Sequence, residues 1–163
     1  MMEDSAMPKE NVAVFIFLRS ALYIQEQVSN KEVKMRLYAL FCVASPCRLR
    51  FSNLTDKCCP ALAAVLSTKQ SYVRELDLGF NSISDKGVSK LVEALCDQNC
   101  RLKTIRLQGC GLTLDACQYV ATGLTQSMKL QELDLSMNEI GDDGMRHLAD
   151  GLGSPECQLK TLK

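Results

Sequence analysis

The stretch LQELDLSMNEIGDDGM, Leu130 to Met145, is a near copy of VRELDLGFNSISDKGV, Val73 to Val88, which lies 57 residues upstream. Leucines occupy the same slots in both, and further copies fall into register around them. The leucine three places before the Ser, Asn or Cys of each copy recurs as Leu49, Leu78, Leu107 and Leu135, at spacings of 29, 29 and 28. Those three places on stand Ser52, Asn81, Cys110 and Asn138, and two further on Leu54, Ile83, Leu112 and Ile140. Then come Cys59, Val88, Cys117 and Met145, next Leu62, Leu91, Val120 and Leu148, and finally Leu66, Leu95, Leu124 and Leu152. Six columns aligned across four copies mark an internal repeat, and a period of this length is that of a solenoid unit. A fifth copy opens at QLKTLK, where Leu159 and Leu162 stand 29 residues after Leu130 and Leu133. The shorter unit loses its residue between Leu124 and Leu130, in a helix-to-strand loop, where deletions are best absorbed.

Each copy changes period halfway. The L-x-x-L-x-L half spaces apolar residues two apart, which predicts a short strand with one face buried. The second half spaces them three and four apart, as in Val88, Leu91 and Leu95, which predicts one face of a helix. Thr55, Ser84 and Thr113 stand at the strand-to-helix turn as expected helix caps, with Gly141 in that slot in the fourth copy and Asp142 after it. A repeated strand and helix gives parallel strands joined by right-handed crossovers. The predicted fold is therefore α/β: a short right-handed β-α solenoid with the parallel sheet on the concave side and helices on the convex side. At the end of each strand the backbone turns and leaves peptide groups outside the ladder. Asn81 and Asn138 are placed to satisfy them with side-chain amides, and Cys110 fills the same slot with a smaller, weaker S–H donor.

Bulk composition bounds the rest. The chain has 163 residues with 47% hydrophobic and 23% charged, an ordinary globular balance. Nineteen basic and nineteen acidic residues leave no global field for nucleic acid or an anionic membrane. Nine cysteines are an odd number, and no cleavable leader precedes them. The apolar run VAVFIFL, Val12 to Leu18, follows the acidic Glu3 and Asp4 and runs into Arg19; it is far short of the ~20 residues needed to span a bilayer. Cys59, Cys110 and Cys117 occupy repeat columns, and Cys100 and Cys157 are equivalent positions, so these read as small buried residues. The expectation is a reduced, cytoplasmic protein. Asn53-Leu54-Thr55 then reads as a chance glycosylation sequon.

The segments RLKTIRLQGCGLT (Arg101 to Thr113) and LQELDLSMNEIGDDGMRHLADGL (Leu130 to Leu152) resemble the two alternating repeat kinds of ribonuclease-inhibitor-type leucine-rich repeats. FSNLTDKCCPALAAVLS (Phe51 to Ser67) and SPECQLKTL (Ser154 to Leu162) look especially like the versions in NACHT-type nucleotide-binding, leucine-rich-repeat immune receptors, the NOD-like receptors. In those proteins such repeats form a carboxy-terminal sensor region. The resemblance covers Leu49 to Lys163 and is specific for fold, much less so for function. The first strand departs from it: ASPCRL puts Ala44 and Cys47 where leucines belong and carries Pro46, which cannot donate to a ladder. No G-x-x-x-x-G-K-[ST] phosphate loop occurs, so the nucleotide-binding part of such receptors is not in this sequence. The expected division is residues 44–163 as four units and a truncated fifth, a fragment or short form of a longer repeat protein. Residues 1–43 are then either a degenerate capping repeat or an unrelated, poorly ordered leader. Val33, Leu37 and Leu40 allow a turn or two of amphipathic helix there, but the slot positions fall on Tyr23 and Gln25.

Residues alternating with the buried leucines should face outward on the concave side. They are Arg48 and Arg50; Glu75, Asp77 and Gly79; Thr104, Arg106 and Gln108; Glu132, Asp134 and Ser136. With strands ~4.8 Å apart, Arg106 should sit between Asp77 and Asp134. Two readings follow: a charged stripe that binds a protein partner, or a self-satisfied cross-strand ladder of small energetic value. GDDGMRH brings Asp142, Asp143 and His147 together, but aligned copies read SDKGVSK and TLDACQY, so helix capping by the acids and an exposed His147 are expected rather than a metal site. Cys96-x-x-x-Cys100 and Cys58-Cys59 lack the paired spacing of structural zinc. No metal or other cofactor is expected, and a single histidine with no nucleophile placed beside it leaves no catalytic device.

The sequence thus predicts a non-enzymatic protein-recognition module, like the repeat region of an intracellular innate-immune receptor. A ribonuclease-inhibitor-like protein is the alternative, disfavoured by balanced charge and few repeats. A GTPase-activating accessory, as in the Ran GTPase-activating protein, is a further one. Protein partners are expected, nucleic acid and membrane are not, and QLKTLK offers a strand edge for self-association.

Overall fold

The computed structural model describes residues 46–126 and 128–163; the expectations for residues 1–43, and for Ala44, lie outside the described residues. Five strands alternate with helices: β1 (Cys47–Arg48), α1 (Cys59–Leu66), β2 (Glu75–Asp77), α2 (Ser84–Leu95), β3 (Thr104–Arg106), α3 (Leu114–Leu124), β4 (Glu132–Asp134), α4 (Gly141–Leu152) and β5 (Thr161–Leu162). A short 3₁₀ turn, Asp56–Cys58, leads into α1. The strands form one parallel sheet in sequence order. Its register pairs Asp77 with Arg106 and Arg106 with Asp134, one repeat per strand. The ladder continues past the strand ends, with the N–H groups of Leu49, Leu78, Leu107 and Leu135 donating to Asp77, Arg106, Asp134 and Lys163 carbonyls at 2.7–2.9 Å. This is the leucine-rich α/β solenoid that the period predicts.

One apolar core lies between the sheet and the helices. Leu49, Leu78, Leu107 and Leu135 are 0–3% exposed, and so are Leu54, Ile83 and Leu112. Burial of such a side chain stabilises the fold by ~1.5–3 kcal/mol. The helix columns show where that cover comes from. Cys59, Val88 and Cys117 are at most 1% exposed, but their fourth-copy equivalent Met145 is 50% exposed. Leu66, Leu95 and Leu124 likewise give way to Leu152, 38% exposed, because no further helix stands against α4 among the described residues. A unit of this kind buries its own column only when a neighbour stands against it.

The Asn column works across repeats. The Asn81 amide donates to the Leu49 and Leu78 carbonyls at 2.8 Å, and its Oδ1 accepts from the N–H groups of Ser52 and Leu54 at 2.9 and 3.0 Å. It therefore closes its own turn and that of the repeat before it. Asn138 repeats this with Leu107, Leu135, Cys110 and Leu112. Cys110 has only the thiol, which donates to the Leu78 carbonyl at 3.2 Å. At that junction the Asp85 carboxylate takes over, accepting from both the N–H and the hydroxyl of Thr113 at 2.8 Å.

Two turn geometries alternate at the helix starts, and they correct one expectation. Thr55 and Thr113 are extended and accept long bonds from the N–H groups of Lys57 and Asp115 at 3.4 Å. Ser84 does not cap. Its φ is +57°, matched by +65° at Gly141, and its N–H turns instead to the Cys110 carbonyl of the next repeat at 3.2 Å. Nor do the acids of α4 cap it. Asp142 and Asp143 lie exposed in its first turn, where they favour the helix dipole, and Asp143 pairs with Arg146.

Candidate functional site

The residues predicted to face outward lie along the strands as expected, but Thr104 and Gly79 are buried, and most of the charges between them are spent on one another. Arg106 stands in register between Asp77 and Asp134, as expected, yet its guanidinium reaches Glu75 at 3.6 Å and Glu132 at 3.9 Å instead. The two aspartates are occupied by their own turns. Asp77 accepts from the Gly79 N–H at 2.9 Å, and Asp134 accepts from the Ser136 N–H at 3.0 Å and from the Ser136 hydroxyl. Thr104 is 7% exposed, buried between the Glu75 and Glu132 strands, so it offers little to a partner. Gly79 is buried as well, and its missing side chain leaves room for Arg50, whose Nη1 would stand 3.5 Å from a Cβ there. Arg50 donates to Gln108 Oε1 at 2.6 Å and lies 3.7 Å from Asp77. Arg48 is exposed and has no ion-pair partner among the described residues. Over β3 to β5, Arg106, Glu132, Asp134, Thr161 and Lys163 line a shallow, open depression that encloses only about 10 Å³, far below the ~300–1,000 Å³ of ordinary small-molecule sites.

Beside these rows runs one that the alternation of the strands does not predict. The residue just before each Ser, Asn or Cys slot is Phe51, Phe80, Gly109 or Met137, and all four hold φ between +53° and +59°. Left-handed backbone of this kind is uncommon for large side chains. It is imposed by the ladder, since the N–H groups of Phe51, Phe80 and Gly109 donate to the Gly79, Gln108 and Ser136 carbonyls at 2.7–3.1 Å. The backbone flip turns apolar side chains outward: Phe51 is 61% exposed and Met137 70%. Phe51 and Phe80 stack with centroids 4.7 Å apart and planes 12° from parallel. The Arg50 guanidinium lies 5.4 and 4.6 Å from the two centroids, beside the pair and within cation–π range of both rings. A signal for this row was available in the sequence: Gly109 in a column of large residues marks a position of positive φ.

The remaining sequence candidates are structural. Burial, then the charge of Asp77, pushes the Cys47 thiol up to about 12, and burial, then Asp85, pushes Cys117 up to about 11. The neighbouring Cys58 thiol, then burial, raises Cys59 as well. These are protonated, inert thiols rather than nucleophiles. Cys100 is buried as expected, whereas Cys157 is only partly buried because it packs at the open end of the stack. His147 is half-buried, with Nε2 3.2 Å from Gln118 Nε2, not on a fully exposed face. Among the described residues no group of three or more His, Cys, Asp or Glu is placed to hold a metal.

The family described as Leucine Rich repeat matches residues 69–92 and 126–149. A human protein named NACHT, LRR and PYD domains-containing protein 12 is 44% identical over 121 residues, 71% of this chain and 11% of its own length. The bovine NACHT, LRR and PYD domains-containing protein 3 is 41% identical over 112 residues, covering 69% of this chain and 11% of the relative. Mouse ribonuclease inhibitor is 37% identical over 121 residues, covering 74% of this chain and 26% of the inhibitor. The chain thus spans about a tenth of the receptor-type relatives and about a quarter of the inhibitor. With its period, its Asn column and its parallel sheet, the described chain is a segment of leucine-rich repeats of the ribonuclease-inhibitor type, resembling those of the NACHT, LRR and PYD domains-containing proteins.

Proposed function

We propose that this segment is a non-enzymatic protein-recognition module, acting in the cytoplasm as part of the repeat region of an innate-immune receptor of the NACHT type. The observation that carries this reading is the strand face itself. Several of its polar side chains are already held by cross-strand contacts, Arg50 to Gln108 and Arg106 to Glu75 and Glu132, so a partner meets a surface that needs little ordering on binding. Likeness to the receptor-type relatives supports it. Buried unpaired thiols suit a reducing compartment, and no helix among the described residues is long and apolar enough to cross a membrane.

The test is a selection of random dodecapeptides displayed on phage against the full chain, followed by hydrogen-exchange footprinting of the bound peptides. Protection at residues 46–51, 75–80, 104–109 and 132–138 is expected. Protection confined to the helices, or no enrichment over an unrelated bait, would end the proposal.

Likeness to mouse ribonuclease inhibitor favours a second reading, inhibition of a pancreatic-type ribonuclease. That reading calls for a wide acidic surface, whereas this chain balances 19 basic against 19 acidic residues and pairs Glu75 and Glu132 of its strand face with Arg106. A ribonuclease assay with the chain in excess decides it: unchanged turnover is expected, and stoichiometric inhibition would reverse the order of the two readings.

A further inference from the structure

The helix-to-strand edge of the stack carries charge of one sign. Arg74, Lys103, Gln131 and Lys160 each stand one residue ahead of a strand. The N–H groups of Lys103, Gln131 and Lys160 donate to the Arg74, Lys103 and Gln131 carbonyls at 2.8 Å, so the four form one column at strand spacing, ~4.8 Å. Two residues earlier in each repeat stand Tyr72, Arg101, Lys129 and Gln158. Between the columns Val73, Leu102 and Leu130 are 0–1% exposed, so by the alternation of extended backbone their neighbours on either side point away from the core. Of these eight positions five are basic and none is acidic, which leaves the edge without a carboxylate of its own.

Nor do carboxylates reach it from elsewhere. Among the described residues Arg101, Lys103, Lys129 and Lys160 have no ion pair. Lys129 Nζ donates to the Gln98 carbonyl at 2.8 Å, and Lys103 Nζ to the Lys129 carbonyl at 3.4 Å. A carbonyl orients an ammonium without cancelling its charge, and each ammonium has three protons to give. The Arg101 guanidinium lies 6.0 Å from the centroid of the Tyr72 ring, at the edge of cation–π range, and Tyr72 is 62% exposed. Neighbouring acids are engaged: Asp97 accepts the Asn99 N–H at 2.7 Å, while Glu75 and Glu132 reach Arg106. Acids gather instead at the strand-to-helix edge, where Asp56, Asp85, Asp115, Asp142 and Asp143 stand in the first turns of the helices. A chain of zero net charge is thus polarised along its strands.

We infer that the basic edge is a second contact surface, apart from the strand face, and that it binds an acidic segment of a protein partner through Arg101, Lys103, Lys129 and Lys160. It goes beyond the recognition reading above and does not require the strand face to bind anything. Charge complementarity names the occupant, since these are cations in register that lack the carboxylates given to Arg50 and Arg106. Tyr72 adds an exposed ring beside an arginine, a pairing enriched at protein interfaces. A nucleic acid fits less well. Its binding draws on a strongly basic field and, for single strands, on successive stacking platforms, whereas this chain is neutral and the two columns hold one ring.

The experiment measures fluorescence anisotropy of a labelled peptide of alternating Asp and Ser against the full chain, at about 0.05 M and about 0.5 M salt. Binding is expected at the lower salt and at least about tenfold weaker at the higher. Arg101→Gln/Lys129→Gln keeps side-chain donors while removing two charges, and should weaken binding about tenfold. Tyr72→Ala should weaken it about threefold, with Tyr72→Phe unchanged. Arg48→Gln removes an exposed cation from the strand face and should change binding less than twofold. Circular dichroism of each variant should match the parent. Should the double variant unfold, Lys160→Gln decides the matter with a loss of about threefold, because its exposed side chain holds no bond among the described residues. No binding at the lower salt would overturn the inference, as would equal losses for Arg48→Gln and the edge variants. Tighter binding of a single-stranded oligonucleotide of equal formal charge would overturn it too, by making the edge a nucleic-acid surface. None of these results touches the strand-face reading, which stands or falls on the footprint of the phage-selected peptides.

Discussion

Asn138 closes the turn of the repeat before its own: its Oδ1 accepts the Cys110 N–H at 2.9 Å, from 28 positions further along the chain. The same oxygen takes the Leu112 N–H, and the amide nitrogen bonds the Leu107 and Leu135 carbonyls. One side chain thus satisfies the backbone of two units at once. The Asn column is an inter-repeat bolt as much as a local turn device.

Removal of such a bolt leaves several buried backbone groups unsatisfied, at ~1–3 kcal/mol each. Asn81→Ala, in the most buried case, is therefore expected to destabilise the chain by at least about 3 kcal/mol in urea unfolding. Cys110→Ala removes one weak S–H donor and should cost about 1 kcal/mol. Equal losses for the two would mean that the thiol and the amide do the same work.

The junction that lacks an asparagine is held by Asp85 on Thr113. A double-mutant cycle of Asp85→Ala and Thr113→Val should give a coupling of about 1 kcal/mol, modest because Thr113 is exposed. Local opening between the second and third repeats should rise in hydrogen exchange of the Thr113 amide. A coupling of zero would reduce the contact to incidental geometry.

Buried thiols make stability depend on pH in a definite direction. Cys47 and Cys117 keep their protons to about 12 and about 11 in the folded chain, against 9.0 when exposed. Above pH 9.0 the unfolded chain gives up protons that the folded chain retains, so stability is full below that value and declines as pH rises toward 11. Each thiol contributes a slope of up to ~1.4 kcal/mol per pH unit in that window. The double variant Cys47→Ala/Cys117→Ala should be less stable at neutral pH but show a shallower alkaline decline. An identical decline in both chains would refute this assignment.

The framework was readable because burial imposes a strict period, and Leu49, Leu78, Leu107 and Leu135 have one way to be covered. Asn81 and Asn138 were readable because the end of a strand has a fixed number of peptide groups to satisfy. Strand register does not fix where a long side chain reaches. Arg106 was placed correctly on the sheet, yet its partners are Glu75 and Glu132, since Asp77 and Asp134 bend back to their own turns. Ser84 was misread because cap propensity is local, whereas its left-handed backbone is set by the carbonyl of Cys110 in the next repeat. The ridge of Phe51, Phe80 and Met137 lies outside the two-residue alternation of a strand. Only its glycine hinted at the backbone that exposes it.

The claim beneath all of these is that adjacent units lend each other cover, and thermal unfolding of Leu107→Asp beside Arg106→Ala tests it most directly. Leu107 is 2% exposed at the centre of the stack, and a buried carboxylate there has no partner, whereas Arg106 is part-exposed in pairs worth ~0–1 kcal/mol. Leu107→Asp is expected to abolish the cooperative transition seen by circular dichroism, while Arg106→Ala keeps the parent midpoint within a few degrees, on the order of ~1 kcal/mol. A Leu107→Asp chain that melts like the parent would contradict the stacked repeat.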